Sequence, residues 1–142
     1  MRHGYRLTRW GDAHKLTFMG SAHRRQNAYL VLFSNHLVNR VMQIREAMEE
    51  GAWGLSTGLD YPPGSYASTA ELAELAGVAA RLGGHYHTHT RASLRAKGLL
   101  APWEEALDIG RGGDCPVHLT HYRQSAAGVG SHLDYIGLVE DA

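Results

Sequence analysis

The sequence is poor in the residues that several kinds of protein require. It carries one cysteine, Cys115, in 142 residues, which excludes an internal disulfide framework and a zinc site built from cysteines alone. It has no excess of either charge: 14 Lys+Arg stand against 14 Asp+Glu, a formal net charge of +0. That balance argues against a strongly basic nucleic-acid binder and against an acidic solvating tail. Long apolar runs are missing too. The longest, Ala28 to Phe33, is far too short to span a bilayer. The polar start Met1-Arg2-His3-Gly4 lacks the apolar stretch of a secretory signal. The expectation is a soluble, cytoplasmic protein with neither nucleic acid nor membrane as a partner, of a size for one domain.

Glycine and histidine, by contrast, are plentiful, at 17 and 10 residues. Residues 1–40 mix charge, histidine and short apolar runs without a sustained period, and Ala28 to Phe33 fits a buried strand or part of a helix equally well. We therefore read 1–40 as a divergent or poorly defined segment and 41–142 as the legible unit. Asn39 through Glu50 predicts a helix with Val41, Ile44, Ala47 and Met48 on one face and Gly51 ending it. Ala52 to Thr57 follows as a short strand, leading into a loop with Pro62-Pro63-Gly64. Ser68-Thr69-Ala70-Glu71 is a capping-box pattern, opening a helix with Leu72, Leu75, Ala76 and Ala79 on one face.

His85 to Arg91 alternates and predicts a second strand. Pro102, at a favoured first helical position, opens a helix ending around Gly110 to Gly113. Pro116 to His121 is a third strand, and Ser131 caps a last helix. Strands recurring at about 30 residues, with helices between, are the spacing of βα units and imply a parallel sheet. Such a sheet belongs either to an open doubly wound fold or to part of a (β/α)₈ barrel, a complete barrel needing about 250 residues.

His85, His87 and His89 occupy alternate positions of one strand and share a face. His89 lies at its carboxyl end, where parallel α/β architectures assemble their sites, and His121 lies at the corresponding end of the next strand. Adjacent strands are about 4.8 Å apart, so two such imidazoles can share one zinc; hydrogen-bonded strand histidines are the plainer reading of the same pattern. His118, of odd parity to His121, is expected on the helix side. His3, His14, His23, His36 and His132 have no partner pattern and are read as surface residues. Gly54-Leu55-Ser56-Thr57-Gly58 is neither a phosphate loop nor a nucleophile elbow, because it lacks a Lys-Ser/Thr ending and feeds a Pro-Pro-Gly loop rather than a helix.

The block from Arg45 to Leu59, containing Gly54-Leu55-Ser56-Thr57-Gly58-Leu59, resembles the N-acyl-D-amino-acid deacylase (D-aminoacylase) family of the amidohydrolase superfamily. So do Tyr61-Pro62-Pro63-Gly64-Ser65, Thr88-His89-Thr90-Arg91 and Pro116-Val117-His118-Leu119-Thr120-His121. This resemblance implies an α/β fold, a partial (β/α)₈ TIM barrel of metal-dependent hydrolase type with about three central βα units. It implies zinc as cofactor, with His89 and His121 as the metal histidines of two successive strands. It also implies a small-molecule N-acyl amino acid, or a related amide, as substrate, with Tyr61 and Arg123 near its carboxylate. The family usually carries lysine where Arg123 stands, and acidic residues where this chain reads Ala92-Ser93-Leu94-Arg95. These departures motivate a cyclic amide, hydantoin-like substrate as an alternative.

The family's first-strand His-x-His pair has no counterpart in residues 1–40. Its catalytic aspartate has none either, since Asp134 and Asp141 match no catalytic position. The expectation is a fragment, inactive alone, with hydrolysis belonging to a complete enzyme. A non-catalytic half-barrel that self-associates through exposed barrel edges is the reading from another class.

Overall fold

The structure, a computed structural model, describes residues 5–10, 13–18, 29–31, 37–62, 64–124 and 130–142. It forms one six-stranded sheet whose strands lie in chain order. β1 (Tyr5–Trp10), β2 (Ala13–Phe18) and β3 (Tyr29–Val31) are joined antiparallel. From β3 onward, through β4 (Gly54–Gly58), β5 (His85–His89) and β6 (Val117–Leu119), every pairing is parallel. The crossovers are α1 (Leu37–Glu49), α2 (Thr69–Arg81) and α3 (Ala101–Gly113), and α4 (His132–Glu140) follows. The repeating βα units expected from residue 41 onward are present, preceded by an antiparallel part that the first forty residues did not announce. Tyr29–Val31 is strand, while the rest of the Ala28 to Phe33 run lies outside the described residues, as do His3, His23 and His36.

Local chemistry accounts for the helix ends. Ser68 accepts from the Glu71 backbone N–H at 3.2 Å, as the capping pattern predicts. The Glu71 carboxylate does not return to the cap; it takes Arg40 of α1 at 2.5 Å, tying two helices together. Ser131 and Asp134 complete a reciprocal capping box on α4. Gly51 ends α1 with φ 99°, a left-handed conformation that glycine adopts without a Cβ penalty.

The core lies between the helices and one face of the sheet. Leu55 and Tyr86 point into it from β4 and β5, meeting Ile44 and Ala47 of α1, Leu72, Leu75, Ala76 and Ala79 of α2, and Ile109 of α3. Thr57 and Thr88 share this face, and the Thr57 hydroxyl sits 2.8 Å from Tyr86 Oη and 2.9 Å from Thr88 Oγ1. Side chains alternate along a strand, so the opposite face carries His85, His87 and His89, each half-buried while Tyr86 and Thr88 are buried. Cys115 is buried at the foot of β6, and burial pushes its thiol pKa up, which suits a small core residue better than a ligand.

At Gly54, paired with His85 of β5, an added Cβ would stand 1.9 Å from the His85 carbonyl oxygen. The clash is with backbone, which cannot rotate away. Gly54→Ala is expected to destabilise the fold by about 3 kcal/mol. Gly137→Ala, in α4 with nothing within 4 Å of the new methyl, is expected to stabilise it by about 1 kcal/mol. Urea denaturation of the two variants beside the wild type checks both signs.

Candidate functional site at the carboxyl end of the sheet

Parallel register carries β4, β5 and β6 to a common edge. Gly58 pairs with His89, and Thr88 pairs with Leu119. Beyond β4 the Leu59 N–H donates to the His89 carbonyl at 3.0 Å, and the Leu59 side chain is buried. The loop is therefore pinned where Asp60 meets His89: Asp60 Oδ2 lies 3.1 Å from His89 Nε2. The other carboxylate oxygen, Oδ1, accepts from the Ala92 backbone N–H at 2.6 Å, joining the β4 loop to the turn after β5. Asp60 had no spacing pattern to single it out; only the folded loop brings it to the histidine.

Beyond β6 the chain turns at once. His121 lies two residues past Leu119, with φ 56°, a left-handed conformation uncommon for a residue with a Cβ. The turn breaks the strand's alternation. His118 pairs with His87 in register, and their Nδ1 atoms are 2.9 Å apart. This corrects the expected place of His118: it is exposed on the histidine face, not packed under the helices. The left-handed turn then re-aims His121, whose ring meets that of His89 edge-on, with centroids 5.4 Å apart. His87 is bound by Thr120, whose Oγ1 lies 2.7 Å from its Nε2. Burial lowers the pKa of His87, and the neighbouring His118, His85 and His121 lower it further.

A cavity of about 660 Å³ opens here, lined by Asp60, His89, Arg95, Trp103, His121 and Arg123 among others. Of the four residues singled out beforehand, His89, His121 and Arg123 share this cavity. Tyr61 stands beside it, largely exposed, its ring centroid 5.7 Å from that of His89. Arg95 was not singled out; its guanidinium lies over the Trp103 ring at 5.8 Å. Chemically, the two imidazoles offer nitrogen donors suited to zinc and similar borderline metals, and the arginines suit a carboxylate. Among the described residues no group of three metal-ligating side chains is placed to hold an ion. Among the described residues this pair could furnish two donors of a ligand set.

Arg91, just past His89, braces the edge. Its Nε lies 3.2 and 3.1 Å from the two Glu105 carboxylate oxygens of α3. Its terminal nitrogens donate to the Ser65 and Ala67 carbonyls at 2.5 and 2.8 Å. Thr69 donates to the same Glu105 carboxylate at 3.0 Å.

The part of the sheet from β3 to β6 is thus a parallel α/β segment that places a pair of histidines where β5 and β6 end. Comparison with known proteins names the relatives. The chain is 41% identical over 78 residues to a D-aminoacylase of Alcaligenes xylosoxydans xylosoxydans, covering 55% of this chain and 16% of that protein. It is 41% identical over 80 residues to an N-acyl-D-glutamate deacylase of the same organism, covering 56% and 16%. A D-aminoacylase crystal structure said to define a novel subset of amidohydrolases superposes with a TM-score of 0.62 at 30% identity, over 74% of this chain and 22% of that one. An N-acyl-D-glutamate deacylase from Bordetella bronchiseptica, complexed with zinc and a phosphonate inhibitor, gives 0.63 at 28%, over 85% and 25%. No protein-family model matches. The chain is therefore similar, in sequence and in structure, to D-aminoacylases and N-acyl-D-amino-acid deacylases, which are amidohydrolases, and it spans 16% of the length of these curated relatives. No helix among the described residues is long and apolar enough to cross a membrane.

Because Arg91 and Glu105 are only 13% and 10% exposed, removing one partner leaves the other charge buried. Glu105→Ala is expected to cost about 3 kcal/mol, well above the effect of Asp108→Ala, whose partner Arg111 is exposed. Thermal denaturation of the two variants measures the difference.

Proposed function

We propose that residues 41–142 carry the metal-histidine segment of a zinc amidohydrolase with a (β/α)₈ barrel, and that the complete enzyme hydrolyses the amide bond of N-acyl-D-amino acids. The observation that carries this reading is the edge contact of His89 and His121 across the ends of β5 and β6. When bound, zinc supplies Lewis-acid polarisation of a carbonyl and a water acidified enough to react near neutral pH. The chain's own residues bind and orient. His89 and His121 hold the metal, Arg123 and Tyr61 meet the substrate carboxylate, and Trp103 walls the cavity. Arg123 presents a planar fork where the family's lysine presents a point charge, so the carboxylate contact is two-pronged.

Catalytic zinc ordinarily has three protein ligands, and the described residues supply two. The chain by itself is therefore proposed to be inactive, its substrate a small-molecule amide reached only in the complete protein. A cytoplasmic setting, in which the single thiol of Cys115 stays reduced, belongs to the same proposal. The second reading, a cyclic amide or hydantoin as substrate, draws on Arg95 and Arg123 lining one cavity where the family pattern has an acidic stretch and a lysine.

The test is a chimera in which residues 40–124 replace the matching stretch of the Alcaligenes D-aminoacylase. Zinc-dependent hydrolysis of N-acyl-D-amino acids is expected, and its loss to background in His89→Ala or His121→Ala. A folded, zinc-loaded chimera that opens hydantoins and leaves N-acyl-D-amino acids intact would establish the second reading. Turnover of N-acyl-D-amino acids by the isolated chain with zinc would contradict the proposed inactivity.

A further inference from the structure

We propose that Asp60 is a positioning residue for His89: its carboxylate holds the imidazole with the proton on Nε2 and so assigns Nδ1 to the metal. The proposal rests on the reading of His89 as a metal ligand and deepens it. Within 3.1 Å of His89 Nε2 stands Asp60 Oδ2. A carboxylate only accepts hydrogen bonds, so the hydrogen in this contact comes from the ring. In a neutral imidazole the other nitrogen, Nδ1, then carries the lone pair. Metal-binding histidines characteristically donate their second N–H to a carboxylate or carbonyl, which fixes tautomer and ring orientation and raises the basicity of the ligating nitrogen.

Asp60 is itself held firmly enough for that task. Its second oxygen takes the Ala92 N–H at 2.6 Å, and the preceding residue, Leu59, is anchored by its backbone bond to the His89 carbonyl. The carboxylate is thus fixed from both sides of the strand end it serves. The His89 ring is bounded further by Tyr61, at 5.7 Å between centroids, and by the edge of His121 at 5.4 Å. A purely structural Asp60, present only to receive the Ala92 N–H, would not need its second oxygen at the histidine.

Two readouts on the intact 142-residue chain test the proposal, with Asp60→Ala and Asp60→Asn beside the wild type. The first is the His89 tautomer without metal, from long-range ¹H–¹⁵N correlation. The Nε2–H form is expected in the wild type, and an exchange mixture in Asp60→Ala. The second is zinc affinity by competition with a chromogenic chelator. Asp60→Ala is expected to weaken it by about 10–100-fold. Asp60→Asn, whose amide oxygen still accepts from Nε2–H, is expected to recover most of that loss.

A wild-type His89 protonated on Nδ1 overturns the proposal. So does an affinity unchanged in Asp60→Ala, or an Asp60→Asn variant as weak as Asp60→Ala, which would make Asp60 itself a ligand. If Asp60→Ala does not fold, the Asn variant and the wild-type tautomer still decide. A wild-type chain that binds no zinc removes the metal reading of the site, a failure distinct from that of Asp60, whose hold on His89 the tautomer reports independently.

Discussion

Parallel pairing of β4, β5 and β6 is the constraint on which the rest of the molecule depends. It forces three strands to end on one edge, so that the Leu59–Asp60 loop, His89 and the Thr120–His121 turn become neighbours although they are far apart in the chain. Parallel strands need crossovers, and the helices α2 and α3 that provide them bury one face of the sheet through Leu55 and Tyr86. The histidines fall on the other face by alternation alone. Core formation and site formation are therefore the same event read from opposite sides of β5.

Tight spacing maintains that register. Gly54 lets the β4 backbone lie against the His85 carbonyl, and the Arg91 guanidinium gathers Glu105, Ser65 and Ala67 around the exit of β5. The loops that line the cavity are thus tied to a helix and to each other rather than left to solvent. This matters for a ligand pair, because two imidazoles serve one metal only if both strand ends hold their relative position.

Much of this was legible in the sequence, and the exceptions have physical causes. Periodicity and caps announced α1 to α4, and glycine and proline punctuation announced the breaks between βα units. His89 and His121 could be paired because alternation and strand spacing are regular. His118 was misplaced because parity was counted backwards from His121, and that count fails when a residue with φ 56° interrupts the strand. The strands of the first forty residues were obscured by mixed charge; the Gly11-Asp12 pair between Trp10 and Ala13 is a hairpin signal that could have found the first two. Asp60 had no signal at all. Its contact with His89 comes from a loop pinned by Leu59, and no local pattern reports a contact made across the sheet.

The similarity to D-aminoacylases and the geometry of the strand ends bear on the same two residues. The alignments and superpositions speak for the lineage of the chain, and the edge contact of the rings speaks for what His89 and His121 can hold together. That these two imidazoles bind one zinc is the central claim. X-ray absorption spectroscopy of the zinc-loaded chain tests it most directly. Two imidazole ligands at about 2.0–2.1 Å are expected, falling to one in either His89→Ala or His121→Ala. A zinc shell unchanged in the double variant would contradict it.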